Sequence, residues 1–318
     1  MRLSPVALFA AALLALAAAS PAAAKTAQKC NGDATLCTRT LDQVVLPSTH
    51  NSMSAQSLGF GLPNQQVGIP DQLRLGVRGF LIDTYYGVKQ PDGRIANAAD
   101  GTKGDGIFLC HVVCVAGATP LVDVLRSYKE FLAKNPNEVL VFDIEDHVAP
   151  KDFAKVVKQA GLDKYPYRGK FGPWPTLAEM IAKKQQVVML VESGKETGVP
   201  YLKPAYTGIL QETPYTWPTR DEITAKSLLD ASCRPSRGGT KGSLFLMNHW
   251  FPATGANDID AKVVNATSAL VNRGEACFKR RKRVPNLLAV DRFEVGGLIA
   301  AAKKLNAELG PKVKPAKG

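Results

Sequence analysis

All four histidines of this 318-residue chain lie at the end of, or just after, short apolar segments that have the composition of buried strands. Acidic or amide side chains occupy the same kind of position. The full set is His50-Asn51, Asp83, His111, Glu145-Asp146-His147, Glu192, Asn248-His249 and Asp291. An imidazole takes up and releases a proton near neutral pH, so two histidines can supply the base and the acid of one reaction. His50 and His111 are the pair expected to face each other across adjacent strands, whereas a single strand-end histidine such as His147 is more often structural.

A second group of side chains has the chemistry of a hard-cation site. In the stretch VFDIEDHV, Asp143 and Glu145 share one face of the predicted strand because successive side chains alternate. Two carboxylates in a folded interior are costly unless a positive group meets them. Together with Asp83 and the amide of Asn51 they offer oxygen ligands that suit Ca²⁺. A buried salt bridge, for example with Arg78, is the alternative interpretation.

The segments that must position these residues alternate between short apolar runs and helical patterns. The eight predicted strands are Gln43–Pro47, Val77–Thr84, Ile107–His111, Val139–Glu145, Gln186–Glu192, Thr207–Gln211, Ser243–Asn248 and Asn286–Asp291. The predicted helices are Leu121–Lys134, Lys151–Gln159, Thr176–Lys184, Asp221–Ala231, Asp258–Arg273 and Phe293–Leu309. Such alternation predicts a parallel sheet that is covered on both faces.

Eight strand–helix units in a chain of this size predict an α/β fold, a TIM-like (β/α)8 barrel in a single domain. We expect the barrel to span residues 25–310 and a basic tail to follow at 311–318, with an exposed excursion at 87–106. Catalytic groups of such barrels gather at the carboxyl ends of the strands. The polar strand ends are therefore expected to form a ring around one mouth of the barrel.

The amino terminus has the pattern of a secretory signal peptide over residues 1–24, with Arg2, an apolar run and small residues before Lys25. We therefore expect a secreted, periplasmic or otherwise extracellular protein. Six cysteines follow, and an even number in an exported chain favours disulfides over a zinc site. The simplest of the possible pairings is local: 30–37, 110–114 and 233–277.

The net charge of +12 is concentrated in KRRKR at 279–283 and in the carboxyl-terminal tail. A solvated basic surface is one interpretation of these clusters, and attraction to anionic lipid or another polyanion is the other. Nucleic acid is not an expected partner, since aromatic residues are not interleaved with the basic ones. The oligomeric state is not predicted.

Four spaced motifs resemble the X domain of phosphatidylinositol-specific phospholipase C: THNS at 49–52, GVRGFLIDTYYG at 76–87, LCH at 109–111 and VLVFDIEDH at 139–147. The resemblance implies a TIM-like barrel that cleaves the phosphodiester of an inositol phospholipid through a cyclic phosphate. By the same resemblance His50 is the base that deprotonates the inositol 2-hydroxyl, and His111 is the acid that protonates the leaving oxygen. Asp291 resembles the carboxylate that orients the first histidine.

One branch of that family uses Ca²⁺ and another replaces the metal with an arginine two residues after the second-strand aspartate. Asn51, Asp83 and Glu145 match the calcium pattern, and Tyr85 stands at the arginine position. Leu81 stands where the calcium branch has a first acid. We hypothesise that Asp143, on the same face as Glu145, supplies the missing charge.

The candidate substrate contacts are Tyr85, Glu192, His249 and Trp250. Because no lysines match those that bind extra phosphates, the expected substrate is phosphatidylinositol, a glycosylated form or another phosphodiester, met during transient contact with a membrane surface. The aromatic stretches at 214–218 and 249–251 are expected to form a lipid-contacting rim, ordinary core or a sugar-stacking surface. A glycerophosphodiesterase or sphingomyelinase-D-like enzyme and a non-catalytic barrel that binds polyanions or glycans remain the alternatives.

Overall fold

The computed structural model describes Met1 and residues 28–215, 219–250 and 257–315. These contain eleven strands: β1 Leu46–Thr49, β2 Gly79–Lys89, β3 Ile95–Asn97, β4 Gly106–Cys110, β5 Ala118–Pro120, β6 Leu140–Asp146, β7 Val187–Val191, β8 Leu202–Pro204, β9 Leu210–Glu212, β10 Leu244–Asn248 and β11 Leu287–Val290. The helices are α1 Ile69–Arg74, α2 Leu121–Lys134, α3 Pro150–Gln159, α4 Leu177–Ala182, α5 Arg220–Thr224, α6 Leu229–Ser232, α7 Asp258–Val264, α8 Thr267–Arg281 and α9 Leu298–Leu309.

Eight of the strands form one curled parallel sheet in the order β8-β7-β6-β2-β1-β11-β10-β9. Every neighbouring pair along this path is parallel. Its two end strands approach each other, since the Leu210 amide donates to the Ala205 carbonyl. The predicted α/β class and TIM-like single-domain architecture are confirmed.

The third predicted strand, Ile107–His111, is wrong as a barrel strand. Its observed counterpart β4 pairs antiparallel with β2 and β5, in a small extension above the sheet that also includes β3. The missing parallel strand is β8, a three-residue segment that lies between Tyr201 and Ala205. A short apolar run has the same composition in either setting, so the composition of the segment could not distinguish them.

Alternation along the strands separates the helix-facing side of the sheet from the barrel interior. In β6, Phe142 and Ile144 belong to the apolar layer between sheet and helices, whereas Val141 packs inside the barrel. By the same parity Asp143 and Glu145 point inward. Interior positions near the amino ends of the strands are apolar and those near the carboxyl ends are polar, so the site lies at the carboxyl end.

The helix α2 shows how the outer layer is held. Its buried side chains are Leu121, Val124, Leu125, Tyr128 and Leu132, which recur at the three- and four-residue spacing of one helix face. The predicted bounds of α2 are confirmed. By contrast, the predicted helix Asp221–Ala231 is divided into α5 and α6, and Asp258–Arg273 is divided into α7 and the longer α8.

Three disulfides join Cys30 to Cys37, Cys110 to Cys114 and Cys233 to Cys277, as the simplest pairing predicted. The segment expected to be a tail is partly attached to the barrel, because Val313 is buried and its carbonyl accepts a hydrogen bond from the Gln43 side chain. None of the helices in the described ranges is long and apolar enough to cross a membrane.

The basic run at 279–283 closes α8 and has partners within the fold. Arg280 pairs with Asp230, Arg281 donates to the Gln211 side chain, and Arg283 lies 3.9 Å from Asp42. The run leads into β11 and contacts the segment before β1, so it lies toward the amino ends of the strands. These arginines therefore stabilise the barrel near the amino ends of its strands, opposite the carboxyl ends where the polar residues lie.

Candidate functional site

A polar cavity of about 350 Å³ opens at the carboxyl ends of the parallel strands. The predicted residues that line it are His50, Asn51, Asp83, Asp143, Glu145, Glu192 and Trp250, and the other lining residues include Leu81, Tyr215, Arg237 and Asn248. The barrel thus brings together residues that are up to two hundred positions apart in the sequence. The polar residues at the carboxyl ends of five parallel strands meet in this cavity, because side chains alternate along each strand and these residues point into the barrel.

Two contacts hold the His50 imidazole in one orientation. Its Nδ1 lies 2.9 Å from Asp291 Oδ1, and the same carboxylate oxygen accepts a hydrogen bond from Asn64. The Trp250 ring stacks on the imidazole at 3.8 Å between centroids with an angle of 3°. Because a carboxylate accepts the Nδ1 proton, the neutral ring carries its lone pair on Nε2, which is the atom left free to take a proton.

His111 follows β4 and is linked to the same mouth through Asn51. The Asn51 amide nitrogen lies 3.1 Å from His111 Nε2, where it donates if the imidazole is neutral. Burial lowers the pKa of His111, and the positive charge of protonated His50 lowers it further. Rotation of the amide would offer its oxygen to a protonated His111, so Asn51 can accompany either protonation state. The two histidines therefore share one mouth although His111 comes from an antiparallel strand.

The carboxylates below the histidines crowd one another. Burial raises the pKa of Asp83 well above its ordinary value, and the negative charges of Glu145 and Glu192 add to the increase. Burial and the charge of Glu192 likewise raise the pKa of Asp143. Tyr206 donates to one oxygen of Asp143, and the other oxygen is buried without a partner. The floor of the cavity thus holds more negative charge than its neighbours neutralise.

Arg237 is the cation that sequence reasoning missed. Its guanidinium donates to both carboxylate oxygens of Glu212, at 2.6 and 3.0 Å, and to Glu192 at 2.5 Å. It also lies 4.3 Å from the ring centroids of both Tyr206 and Tyr215. The buried carboxylates signalled that a cation was needed, but Arg237 lies in the turn-rich stretch CRPSRGGTKG, where no periodic pattern indicates which way a side chain points.

The alternative partner for the acids, Arg78, lies elsewhere. It forms an ion pair with Glu138 at 2.7 Å, and its Nη1 donates to the carbonyls of Leu73 and Val77. These contacts lie at the amino end of β2, away from the cavity. The alternative interpretation from the sequence, a salt bridge between Arg78 and the interior carboxylates, is therefore wrong.

The donor set at the mouth fits a hard cation in chemistry and in charge. The residues assigned to calcium, Asn51, Asp83, Asp143 and Glu145, all line the cavity and all present oxygen. The unpartnered oxygen of Asp143 and the raised pKa of Asp83 indicate that one more positive charge would be stabilising there. Within the described ranges no three acidic or histidine side chains already form a close cluster, so these side chains would have to draw together around an ion.

His147 and Tyr85 lie to one side of the cavity. His147 Nε2 is 2.7 Å from Glu145 Oε1, and this hydrogen bond lowers the pKa of Glu145 and raises that of His147. Tyr85 stacks on His147 at 4.2 Å between centroids. Both residues line a neighbouring cavity of about 470 Å³ rather than the main one. Tyr85, predicted as a substrate contact, therefore lies beside the main cavity and does not line it.

The structure does not bring His249 into the cavity, and its assignment as a substrate contact is corrected. The imidazole is fully buried, its Nε2 donates to the Val264 carbonyl at 2.8 Å, and its Nδ1 accepts from Arg273 at 3.2 Å. Burial and the charge of Arg273 lower the pKa of His249 to about 3. Both ring nitrogens of His249 are therefore hydrogen-bonded to neighbouring residues inside the fold.

The aromatic stretches lie only partly within the described residues. Trp250 is buried against His50 and supports the imidazole, so it is not an exposed rim residue. Tyr215 is exposed and covers Arg237. Residues 216–218 and 251 lie outside the described ranges.

Fold and cavity together define an α/β barrel with a carboxylate-lined pocket beside two histidines. A family model for the PI-PLC X domain, described as PI-PLC X 1, matches residues 36–306. The chain therefore belongs to the PI-PLC X domain family.

Two curated proteins of Arthroderma benhamiae are similar to it. A PI-PLC X domain-containing protein is 28% identical over 92% of this chain and 95% of its own length. A secreted protein described as uncharacterized is 26% identical over 88% of this chain and 63% of its own length. Together with the three disulfides, the secreted relative indicates an extracellular protein.

Two solved structures of phosphatidylinositol-specific phospholipase C from S. aureus share the fold. They are each 16% identical to this chain and cover 80% of it, with TM-scores of 0.51 and 0.50. The matches cover 88% and 87% of those chains. At this identity they support the barrel architecture of the chain.

Proposed function

We propose that the chain is an exported phosphodiesterase of the phospholipase C type, with His50 as general base and His111 as general acid. The observation that carries the proposal is the setting of His50, whose Nδ1 is held by Asp291 at 2.9 Å and whose plane is fixed by Trp250. An imidazole fixed in this way presents Nε2 as a base of defined direction. His111 lies across Asn51 at the same mouth and is available for the second proton transfer.

The proposed reaction balances through two proton transfers. His50 takes the proton of the headgroup hydroxyl next to the diester, and that oxygen forms a bond to phosphorus. The bond from phosphorus to the lipid oxygen breaks, and His111 gives its proton to that leaving oxygen. The product is a cyclic phosphate, which water opens when the two imidazoles exchange roles. Asp291 stabilises the imidazolium that forms on His50 and takes no proton itself.

The negative charge on the phosphate oxygens has to be stabilised by a positive group during the reaction. We infer that Ca²⁺ would be held by Asn51, Asp83 and Glu145, with Asp143 supplying charge in place of the acid absent at Leu81. A bound calcium ion would polarise the phosphate oxygens and acidify the attacking hydroxyl. The surplus of carboxylates over cations in the cavity supports this assignment.

The polar floor favours a headgroup that donates hydrogen bonds over one that carries further phosphates. Asp143 and Asn248 each keep one buried oxygen without a partner, and Glu192 faces the same space. Hydroxyl groups satisfy such acceptors, whereas added phosphates would be repelled by the surrounding carboxylates. Phosphatidylinositol or a glycosylated relative, reached during transient contact with a membrane, is therefore the proposed substrate. Trp250 and Glu192 would contact its headgroup.

The proposal is tested by incubating the chain from residue 25 onward with phosphatidylinositol and following the products by phosphorus NMR. We expect a cyclic inositol phosphate that no longer forms when a chelator is present. His50→Ala and His111→Ala should each abolish turnover while the thermal melt is unchanged. Release of choline phosphate or glycerol phosphate from other lipids would instead indicate the alternative, a glycerophosphodiesterase or sphingomyelinase-D-like enzyme. No turnover on any lipid would refute an enzymatic role.

A further inference from the structure

The proposed acid His111 lies inside a loop of five residues that a disulfide closes. Cys110 ends β4, and its sulfur is bonded to that of Cys114, so the sequence CHVVC forms one small ring. Both cysteines are buried, with at most 1% of either exposed. The backbone on either side of His111 is therefore anchored in the fold, and we call residues 110–114 the histidine turn.

Val112 gives the histidine turn an unusual backbone. Its φ is 62°, a left-handed conformation that is costly for a β-branched residue, and the Val113 amide donates to the His111 carbonyl at 2.7 Å. The side chains of Val112 and Val113 are exposed, so apolar packing does not offset this cost. Because such a conformation persists only where surrounding contacts hold it, the histidine turn needs partners elsewhere in the fold.

Asn97 bridges the two sides of the histidine turn with one side-chain amide. Its Nδ2 donates to the Val112 carbonyl at 3.1 Å, and its Oδ1 accepts from the Cys114 amide at 2.8 Å. The donor and the acceptor of the amide are thus both used. Among the described residues, Asn97 is the only one whose side chain is hydrogen-bonded to the backbone of this turn.

The excursion that the sequence predicts at 87–106 brings Asn97 to this position. Within it β3 runs antiparallel to the end of β2 and places Asn97 opposite Gly87. The Ala98 amide continues this pairing by donating to the Tyr86 carbonyl at 2.8 Å. The backbone of Asn97 is therefore fixed by the end of β2, and the excursion carries a side chain that contacts the turn of the proposed acid.

The two histidines of the mouth are held by different means. The His50 ring is oriented by Asp291 and Trp250, which contact the imidazole itself. For the His111 ring, Asn51 is the only hydrogen-bond partner among the described residues, at 3.1 Å. A single contact fixes a ring poorly, because the side-chain torsions of a histidine allow several orientations. The direction of the His111 side chain therefore depends on the backbone of the histidine turn.

We propose that Asn97 is a positioning residue, which holds the histidine turn so that the His111 ring meets Asn51 at the cavity. The consequence for turnover rests on the acid role proposed above, whereas the placement of the ring does not. An acid matters most for a leaving group that departs poorly as an anion. A misplaced His111 should therefore slow the release of an alcohol and hardly affect the release of a nitrophenol.

The test compares Asn97→Ala with the parent chain on two water-soluble inositol phosphodiesters, one that releases a short-chain diacylglycerol and one that releases p-nitrophenol. We expect kcat to fall about 10- to 100-fold on the first and less than about threefold on the second, with KM within about twofold on both. The matched control is Asn135→Ala, which removes another exposed asparagine, whose amide donates to the Phe131 carbonyl near the end of α2. It should keep both rates.

A second readout does not need turnover. The contact between His111 and Asn51 should give a nuclear Overhauser effect between the imidazole and the side-chain amide in the parent chain, and Asn97→Ala should lose it. Asn97 is exposed, so the thermal melt should not change. Absence of the effect in the parent chain, or its persistence in Asn97→Ala, would overturn the inference.

The two readouts separate this inference from the proposed function. Rates that fall equally with both leaving groups would overturn the inference, because Asn97 would then act on something other than the acid. A parent chain that cleaves neither compound would refute the proposed function. Loss of the Overhauser effect in Asn97→Ala would still support the placement of His111 by Asn97 in that case, and its persistence would refute both.

Discussion

Replacing Asp291 with asparagine tests whether the carboxylate supports a charged His50 during the reaction. The side chain keeps its shape, so the contact of 2.9 Å with His50 Nδ1 can persist while the negative charge is lost. In the proposed reaction His50 becomes positive as it takes the proton. The variant should therefore lose stabilisation of the transition state and little of the binding of the substrate.

The magnitude follows from the geometry of the pair. Unit charges about 4 Å apart interact by about 4 kcal/mol at an effective dielectric constant of about 20. The side chains of His50 and Asp291 are 22% and 12% exposed, so solvent weakens the interaction and an amide dipole replaces part of it. A net loss of about 2–3 kcal/mol corresponds to a decrease of about 30- to 150-fold in kcat.

The assay is the initial rate of cleavage of a short-chain, water-soluble phosphatidylinositol, which removes membrane binding from the measurement. The matched control is Asp230→Asn, which neutralises a carboxylate that is 69% exposed and pairs with Arg280. The control should keep the rate of the parent chain. A rate for Asp291→Asn within about threefold of the parent, with an unchanged thermal melt, would show that the charge does not support catalysis.

Three further perturbations test the electrostatics of the barrel. Arg237→Gln should lower the free energy of unfolding by about 3 kcal/mol, because Glu212 is left buried without its cation; an unchanged midpoint in chemical denaturation would contradict this. The pKa of His249 is lowered to about 3, so the unfolded chain binds a proton that the native chain does not, and stability should fall by about 2 kcal/mol between pH 7 and pH 5. His249→Gln should reduce this dependence in denaturation at both pH values, and an identical dependence would exclude His249 as its source. Asp143→Asn should weaken calcium binding in isothermal titration, and unchanged affinity would remove Asp143 from the ligand set.

The parts of the fold that follow from local pattern could be predicted from the sequence. Strict alternation in β6 placed Asp143 and Glu145 inside the barrel, and the spacing of apolar residues in α2 defined its buried face. The segment that became β4 has the same apolar character but pairs antiparallel with β2. The direction of β4 is set by its pairing in the extension above the sheet, which local sequence does not indicate. The strand β8 is only three residues long, too short to show a periodic pattern.

The candidate site was predictable where a residue's role depends on its own strand, and less so where it depends on a distant partner. His249 ends a strand just as His50 does, but its environment is set by Arg273, which reaches it from α8. Burial and the buried arginine lower the pKa of His249, whereas the Nδ1 atom of His50 lies 2.9 Å from the carboxylate of Asp291. The identity of the partner, rather than the position of the histidine, separates the two roles.

The balance of charge in the cavity links the stability of the barrel to its proposed chemistry. Arg237 neutralises part of the charge on Glu192 and Glu212, while burial, together with the charge of neighbouring carboxylates, raises the pKa of Asp83 and of Asp143. A barrel optimised only for stability would replace such a pair with apolar residues, because buried charges rarely stabilise a fold. The calcium ion proposed above would offset this surplus after folding, so calcium should raise the melting temperature of the parent chain more than that of Asp143→Asn.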